Sequence, residues 1–321
     1  MDLATRLEAW WSAFRSRSPL PAVAVGVSTP QLGRRVWCSG ELDHQPVTGS
    51  TVFYGASLTK QLVGALVARA VLSGRVDPEV PVRLYLPGLP AWTAPVRVQH
   101  LLHHTAALPQ PPALATALGH ADGMGGWWRL DNASVLRALS LVPPASGSPG
   151  VRFAYDNTGY VLLAELLHVV EGRDLAQLAR AVLLDPLGMT GSHIGGPPPA
   201  LLPDVDPPPG TTGDGGLWTC VDDLLVWLDA LNGQRLGADL TALVQTPGRL
   251  TDGTVLDYAW GVGLQPRRVP PVYEHGGSWP GWGAKAVRCP TTSTAVALLA
   301  VTGDVAALSA VALELHDLLA S

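Results

Sequence analysis

The chain has 321 residues with 26 acidic and 21 basic side chains, a net charge of −5 spread without any basic stripe, which argues against nucleic acid as a partner. That length allows about two domains, or one large α/β unit carrying an insertion. Its three cysteines, Cys38, Cys220 and Cys289, are far apart and in no metal-binding spacing, so free thiols and a reducing compartment are expected.

At the N-terminus Leu3, Leu7, Trp10, Trp11 and Phe14 trace one helical face, read as a terminal helix packed on its own domain. The same stretch lacks the apolar core and small-residue cleavage site of a secretory signal, and no apolar run reaches the ~20 residues of a membrane span. A cytoplasmic location and no membrane association are expected. Residues 22–29 and 34–39 are β-like runs separated by a turn. A helix follows from Ser57, with Leu62, Val63, Leu66, Val67 and Val71 as its apolar positions. From about 75 to 245 the pattern is mainly helical, clearest at 134–142, 158–171, 174–184 and 221–232. The proline-rich stretch 195–216 is too short for a domain tether and is read as an ordered surface loop near the functional edge. Runs at 258–264, 271–275, 283–289 and 294–302 return to β character, and a helix closes the chain at 304–320. Strands at both termini predict an α/β (α+β) fold in which one antiparallel sheet is built from residues 1–74 and 246–321 and flanked by helices. Residues 75–245 are expected as a mainly helical insertion.

Three short stretches carry chemistry. Lysine occurs only twice against 19 arginines, and one of the two, Lys60, stands three residues after Ser57 on one helical face. A desolvated lysine can accept a proton where arginine cannot, so Ser57 with Lys60 is a candidate activated nucleophile; a helix-capping serine followed by a solvated lysine is the other reading. Tyr155, Asp156 and Asn157 come just before a helix, as a functional cluster or as a turn and cap. The run ending in His275, Gly276, Gly277 and Ser278 is either a strand on which a substrate could lie or a hairpin turn. A fourth cluster, His100, His103 and His104, has i, i+3, i+4 spacing on a predicted helix but no accompanying Glu or Cys. Structural hydrogen bonding is expected there, with no metal and no cofactor.

Taken in order, Ser57-x-x-Lys60, Tyr155-x-Asn157 and His275-Gly276-Gly277 resemble the three-motif set of the serine β-lactamase and penicillin-binding-protein superfamily. The segments FYGASLTKQL, LSGRVDPEVPVRLYLPGLP, VRVQHLLHHTAALP, DPLGMTGS and GDGGLWTCVDDLLVW are similar to the branch containing class C β-lactamases, family VIII esterases and D-aminopeptidases. The resemblance runs from about residue 20 to 315 and implies a β-lactamase/transpeptidase-like fold. It also implies that Ser57 is the nucleophile of an acyl-enzyme and that Lys60 helps take its proton. Tyr155, its phenol acidified by neighbouring positive charge, would share base duty and protonate the leaving group. Asn157 would orient Lys60 or bind the substrate amide, and the backbone N–H groups of Ser57 and Ser278 would form the oxyanion hole. The implied partner is a small-molecule ester, amide or lactam.

The departure lies at His275, where penicillin-targeting relatives carry a lysine that receives a substrate carboxylate. A mostly neutral imidazole favours an esterase or amidase acting on small neutral acyl groups over a β-lactamase or D-amino-acid carboxypeptidase. Trp279 and Trp282 are expected as an apolar pocket wall, and Arg288 is the alternative receptor for a carboxylate. An acyltransferase or peptide-cyclising thioesterase, and a non-catalytic binding module of the same fold, are the other readings.

Overall fold

The computed structural model describes residues 1–18, 20–120, 124–196, 202, 207–265 and 268–320. In chain order the strands are β1 (Ala22–Thr29), β2 (Gly33–Leu42), β3 (Gln45–Pro46), β4 (Phe53–Ala56), β5 (His193–Ile194), β6 (Leu217–Thr219), β7 (Gly263–Gln265), β8 (Val272–Trp279), β9 (Trp282–Cys289) and β10 (Thr294–Val301). The α-helices are α1 (Leu3–Arg17), α2 (Thr59–Leu72), α3 (Val98–Leu102), α4 (Pro111–Ala117), α5 (Asn132–Leu139), α6 (Asn157–Glu171), α7 (Leu175–Ala179), α8 (Asp185–Leu187), α9 (Val221–Asn232), α10 (Ala238–Val244) and α11 (Val305–Ala320).

Seven strands form one antiparallel sheet in the order β3-β2-β1-β10-β9-β8-β7. Its middle joins the two ends of the chain, because β1 pairs with β10 from Val23 opposite Ala300 to Ser28 opposite Ala295. Strand β1 shows why the sheet sits between two helical layers. Its odd positions, Val23, Val25 and Val27, pack with Leu7, Trp10 and Phe14 of α1 and Leu308, Ala312 and Leu315 of α11. Its even positions are small, since a Cβ added at Gly26 would stand 2.8 Å from Leu225 of α9. Alternation of branched and tiny side chains therefore lets one face take two amphipathic helices while the other takes α9 at close range. Truncating a residue such as Leu298 in the first layer would cost about 2–5 kcal/mol.

Helix α9 lies inside the 75–245 stretch by sequence yet packs on β1, β9 and β10. We propose that it belongs with the sheet and that the helices from α3 to α8 make up the inserted part. Strand β4 joins β6 and β5 in a separate three-stranded sheet, which the sequence pattern missed because four buried residues, Phe53–Ala56, show no alternation. The expected strand at 258–264 reduces to Gly263–Gln265, since Tyr258–Val262 is a loop bending against the start of α2. Helical periodicity at 174–184 splits into α7 and a wider π turn over Arg180–Leu184. All three cysteines are free. No helix among the described residues is long and apolar enough to cross a membrane.

Candidate active site

Ser57 is placed by a break in strand geometry. Strand β4 pairs irregularly with β6 between Tyr54 and Ala56, and Ala56 takes a left-handed φ of 46° before the chain turns through Ser57 and Leu58 into α2. A left-handed alanine costs of order 1–3 kcal/mol, so the surroundings must hold the turn. Part of that hold comes from Thr59, whose hydroxyl donates to the Ala56 carbonyl at 2.6 Å and accepts the Leu217 N–H at 3.0 Å. The Ser57 hydroxyl does not cap the helix: no side-chain cap bond is present at the N-terminus of α2. It meets Lys60 instead.

Lys60 is 0% exposed. Its ammonium donates to Ser57 Oγ at 3.0 Å, Asn157 Oδ1 at 2.8 Å and the Asp214 carbonyl at 2.6 Å. Three donors thus meet three acceptors. If the proton on the Ser57 side moves, the lone pair of a neutral amine points along the same bond, while Asn157 and Asp214 keep the other two hydrogens. This arrangement can exchange a proton between Oγ and Nζ without moving a heavy atom. A solvated first-turn lysine is ruled out by the burial.

The second motif arrives from the entry of α6. Asp156 caps that helix by accepting the Gly159 N–H at 3.2 Å, which fixes Asn157 at its first turn beside Lys60. Tyr155 is 39% exposed and presents its ring to Lys60, with Nζ 5.0 Å from the centroid. Among the described residues no hydrogen bond joins the Tyr155 hydroxyl to Ser57 or Lys60. Burial pushes the Asp156 carboxyl up to about 7 and raises Asp214 too, so both acids near Lys60 resist ionisation.

The histidine cluster supports this motif. Helix α3 stops at Leu102, so the three imidazoles do not share one helical face as the spacing predicted. His100 Nδ1 accepts the Arg97 N–H at 3.0 Å, His103 Nδ1–H donates to the Gln99 carbonyl at 3.0 Å, and His104 Nδ1 accepts the Asp156 N–H at 2.9 Å. His104 lies against Tyr155 at 4.2 Å between ring centroids, with Tyr160 and Tyr258 around it. Burial holds its pKa well below the ordinary 6.5, so it stays a neutral packing and hydrogen-bonding group. Among the described residues no three His, Cys, Asp or Glu side chains are grouped to hold a metal.

The third motif is a strand and a hairpin at once. Residues His275 to Ser278 lie in β8, and a two-residue turn at Pro280 and Gly281 leads into β9, with Trp279 opposite Trp282. Strand β7 pairs only with Val272, Tyr273 and Glu274, so the edge from His275 onward borders a cavity. Gly277 has to be glycine because a Cβ there would stand 2.1 Å from the Gly55 carbonyl; that contact brings β8 up to the strand carrying Ser57. His275 Nδ1–H donates to the Gly276 carbonyl at 2.7 Å and its Nε2 accepts the Tyr258 hydroxyl at 3.0 Å. Burial first, then the Lys60 charge, lowers its pKa to about 3. It therefore supplies no cation at neutral pH.

The cavity measures about 560 Å³ and is bordered by Ser57, Tyr155, Asn157 and the edge residues His275, Gly276, Gly277 and Ser278. Two expectations need correction. Trp282 is 1% exposed and packs edge-on against Phe53 and Trp218 in the core, and Trp279 is buried behind Trp127. The tryptophan on the wall is Trp127, beside Tyr155 and Tyr258, and it comes from a 3₁₀ turn too short to show periodicity. Arg288, the alternative carboxylate receptor, lies over the Tyr273 ring at 4.7 Å and is buried outside this cavity. Sequence reasoning also missed Tyr258, Glu274 and Lys285 on the cavity wall and Asp214 beneath Lys60. Lysine scarcity was the available signal for Lys285, since it is the other of the two.

A buried lysine between a turn serine and an asparagine, beside a glycine-lined sheet edge, is the candidate active site. The chain belongs to the Beta-lactamase family, whose model matches residues 14–319. It is 26% identical over 307 residues to a D-aminopeptidase of Gluconobacter oxydans, covering 88% of this chain and 56% of that protein. It is 30% identical over 203 residues to the esterase EstB of Burkholderia gladioli, covering 59% and 50%. The chain thus spans little more than half the length of these curated relatives. In fold it is similar to the D-amino acid amidase of Ochrobactrum anthropi SV3 in complex with D-phenylalanine, with a TM-score of 0.77 at 21% identity over 94% of this chain and 93% of that one.

Proposed function

We propose that the chain is a serine hydrolase working through an acyl-enzyme on Ser57, with esters or amides of small acyl groups as substrates. The observation that carries this reading is the 3.0 Å bond from a fully buried Lys60 Nζ to the Oγ of Ser57, a residue that borders the cavity. In acylation Oγ attacks the substrate carbonyl carbon while its proton passes to the free lone pair of Lys60 in its neutral amine form, which becomes the ammonium, with Tyr155 sharing base duty. The oxyanion is received by the backbone N–H groups of Ser57 and Ser278, aided by the N-terminal end of α2. Collapse breaks the bond to the alkoxide or amine, which leaves with a proton from Tyr155. Water then attacks the acyl-enzyme by the reverse proton path and restores Ser57. A neutral His275 supplies no charge for a carboxylate at the position where penicillin-targeting relatives carry lysine, and the aromatic face of Trp127 suits acyl or aryl groups. Names among the relatives, D-aminopeptidase and esterase, agree with amide and ester chemistry. The test is turnover of a panel of aryl and alkyl esters, amino-acid amides and β-lactams by wild type and Ser57→Ala. Ester or amide hydrolysis that disappears in the variant supports the reading, and turnover surviving in it refutes it.

A further inference from the structure

Of the chain's two lysines, Lys285 borders the cavity that Ser57 also borders. Lys60 lies beneath Ser57, and Lys285 comes in from β9, where it pairs across the hairpin with Gly276. Side chains alternate along β8, so His275 and Gly277 face the strand bearing Ser57, while Glu274 and Gly276 face the other way, toward Val305 at the start of α11. A Cβ placed on Gly276 would lie 3.9 Å from both Lys285 Cδ and Val305. The cavity wraps the free edge of β8 and is bordered by groups of both faces, Ser57 on one and Glu274 and Lys285 on the other.

Among the described residues bordering the cavity, Lys285 is the only ammonium or guanidinium. Its side chain is 7% exposed and its nitrogen is 2.8 Å from Glu274 Oε2. The other carboxylate oxygen of Glu274 accepts from Gln265. Gln265 thus holds the Glu274 carboxylate beside the ammonium, while Glu274 Oε2 has no aligned hydrogen bond, so the contact is an ion pair that leaves the Lys285 donors without a hydrogen-bond acceptor among the described residues. An ion pair placed only for sheet stability would have no need of a cavity wall, and desolvating it there is costly.

We propose that Lys285, oriented by Glu274, receives a carboxylate carried by the part of the substrate that reaches around the β8 edge. This rests on the acyl-enzyme reading of Ser57 and assigns the cationic contact that His275 does not make. A carboxylate bound to the open side of Lys285 lies farther from the Glu274 charge than from the ammonium, so attraction exceeds repulsion. Glu274 tempers the site, and removing its charge should strengthen it.

The experiment compares two matched ester pairs: mono-4-nitrophenyl glutarate with its methyl ester, and 3-acetoxybenzoate with its methyl ester. These place the carboxylate on the acyl side and the leaving side. In at least one pair, Lys285→Met should lower the carboxylate-to-neutral ratio of kcat/KM about 10-fold or more. Glu274→Gln should raise the same ratio several-fold. The same ratios are read as Kd on the Ser57→Ala background, where nothing is cleaved, so loss of the serine reading would leave the Lys285 result intact. If both substitutions leave the ratios of both pairs within about 2-fold of wild type, or lower both members of each pair alike, Lys285 and Glu274 are a structural ion pair and the proposal is overturned.

Discussion

Replacing Lys60 by arginine separates the two things a lysine could be doing beneath Ser57. A fixed cation survives the substitution, but guanidinium does not give up its proton under protein conditions and cannot act as a base. The nitrogen of Lys60 satisfies Ser57, Asn157 and the Asp214 carbonyl at 3.0, 2.8 and 2.6 Å, a compact fit for one ammonium. Loss of a positioned base is worth about 100-fold at the low end, which is ~2.7 kcal/mol in transition-state free energy. Overpacking at a site with no exposure adds about 1–3 kcal/mol of destabilisation, so Tm is recorded and activity is compared well below it. The assay is kcat/KM for a neutral 4-nitrophenyl ester from pH 6 to 9. A folded Lys60→Arg protein within about 3-fold of wild type would show that only the charge at position 60 matters and would refute proton transfer through Lys60.

Gly277→Ala should lower kcat/KM by more than about 10-fold and reduce stability by about 1–3 kcal/mol, because its Cβ would meet the Gly55 carbonyl at 2.1 Å and push β8 from the Ser57 strand; an active, equally stable variant would contradict that contact. Stability should also fall on acidification. His103, His104 and His275 have folded-state pKa values below the unfolded 6.5, to about 4 for His103 and about 3 for His275, so the unfolded chain binds protons that the folded one refuses as pH drops below 6.5. Asp156 and Asp214 act oppositely, holding protons in the folded state above the unfolded value of 3.8. His100, lowered to about 4, adds to the imidazole side, so the buried imidazoles outnumber the two acids and the balance is a loss of stability between pH 7 and pH 5. Urea midpoints at pH 7 and pH 5 check this, and equal or greater stability at pH 5 would contradict it.

The long elements and the three motifs were legible because each has a local signature. The β1 run was read to the residue, since alternating valine and small residues show a strand between two helical layers. Ser57, Lys60 and Asn157 were legible as a set, and the structure brings Ser57 and Asn157 each within hydrogen-bonding distance of Lys60. What was not legible depends on which way a side chain points or on contacts between distant segments. Trp282 and Trp127 show this: proximity to the third motif favoured Trp282, but strand alternation and the turn at Gly281 send it into the core, while Trp127 arrives from more than a hundred residues away. Arg288 fails as a carboxylate receptor for a similar reason. It lies outside the cavity, three residues beyond Lys285, whose side chain borders it. Asp214 contributes a carbonyl, and backbone acceptors leave no trace in residue type.

The most direct measurement of the central claim is intact mass after brief treatment with a serine-directed phosphonate or a slowly released aryl ester, followed by peptide mapping. Wild type should gain the mass of one acyl or phosphonyl group on the peptide containing Ser57, and Ser57→Ala should gain none. An adduct on any other residue, or equal labelling of the alanine variant, would contradict the assignment of Ser57 as the nucleophile.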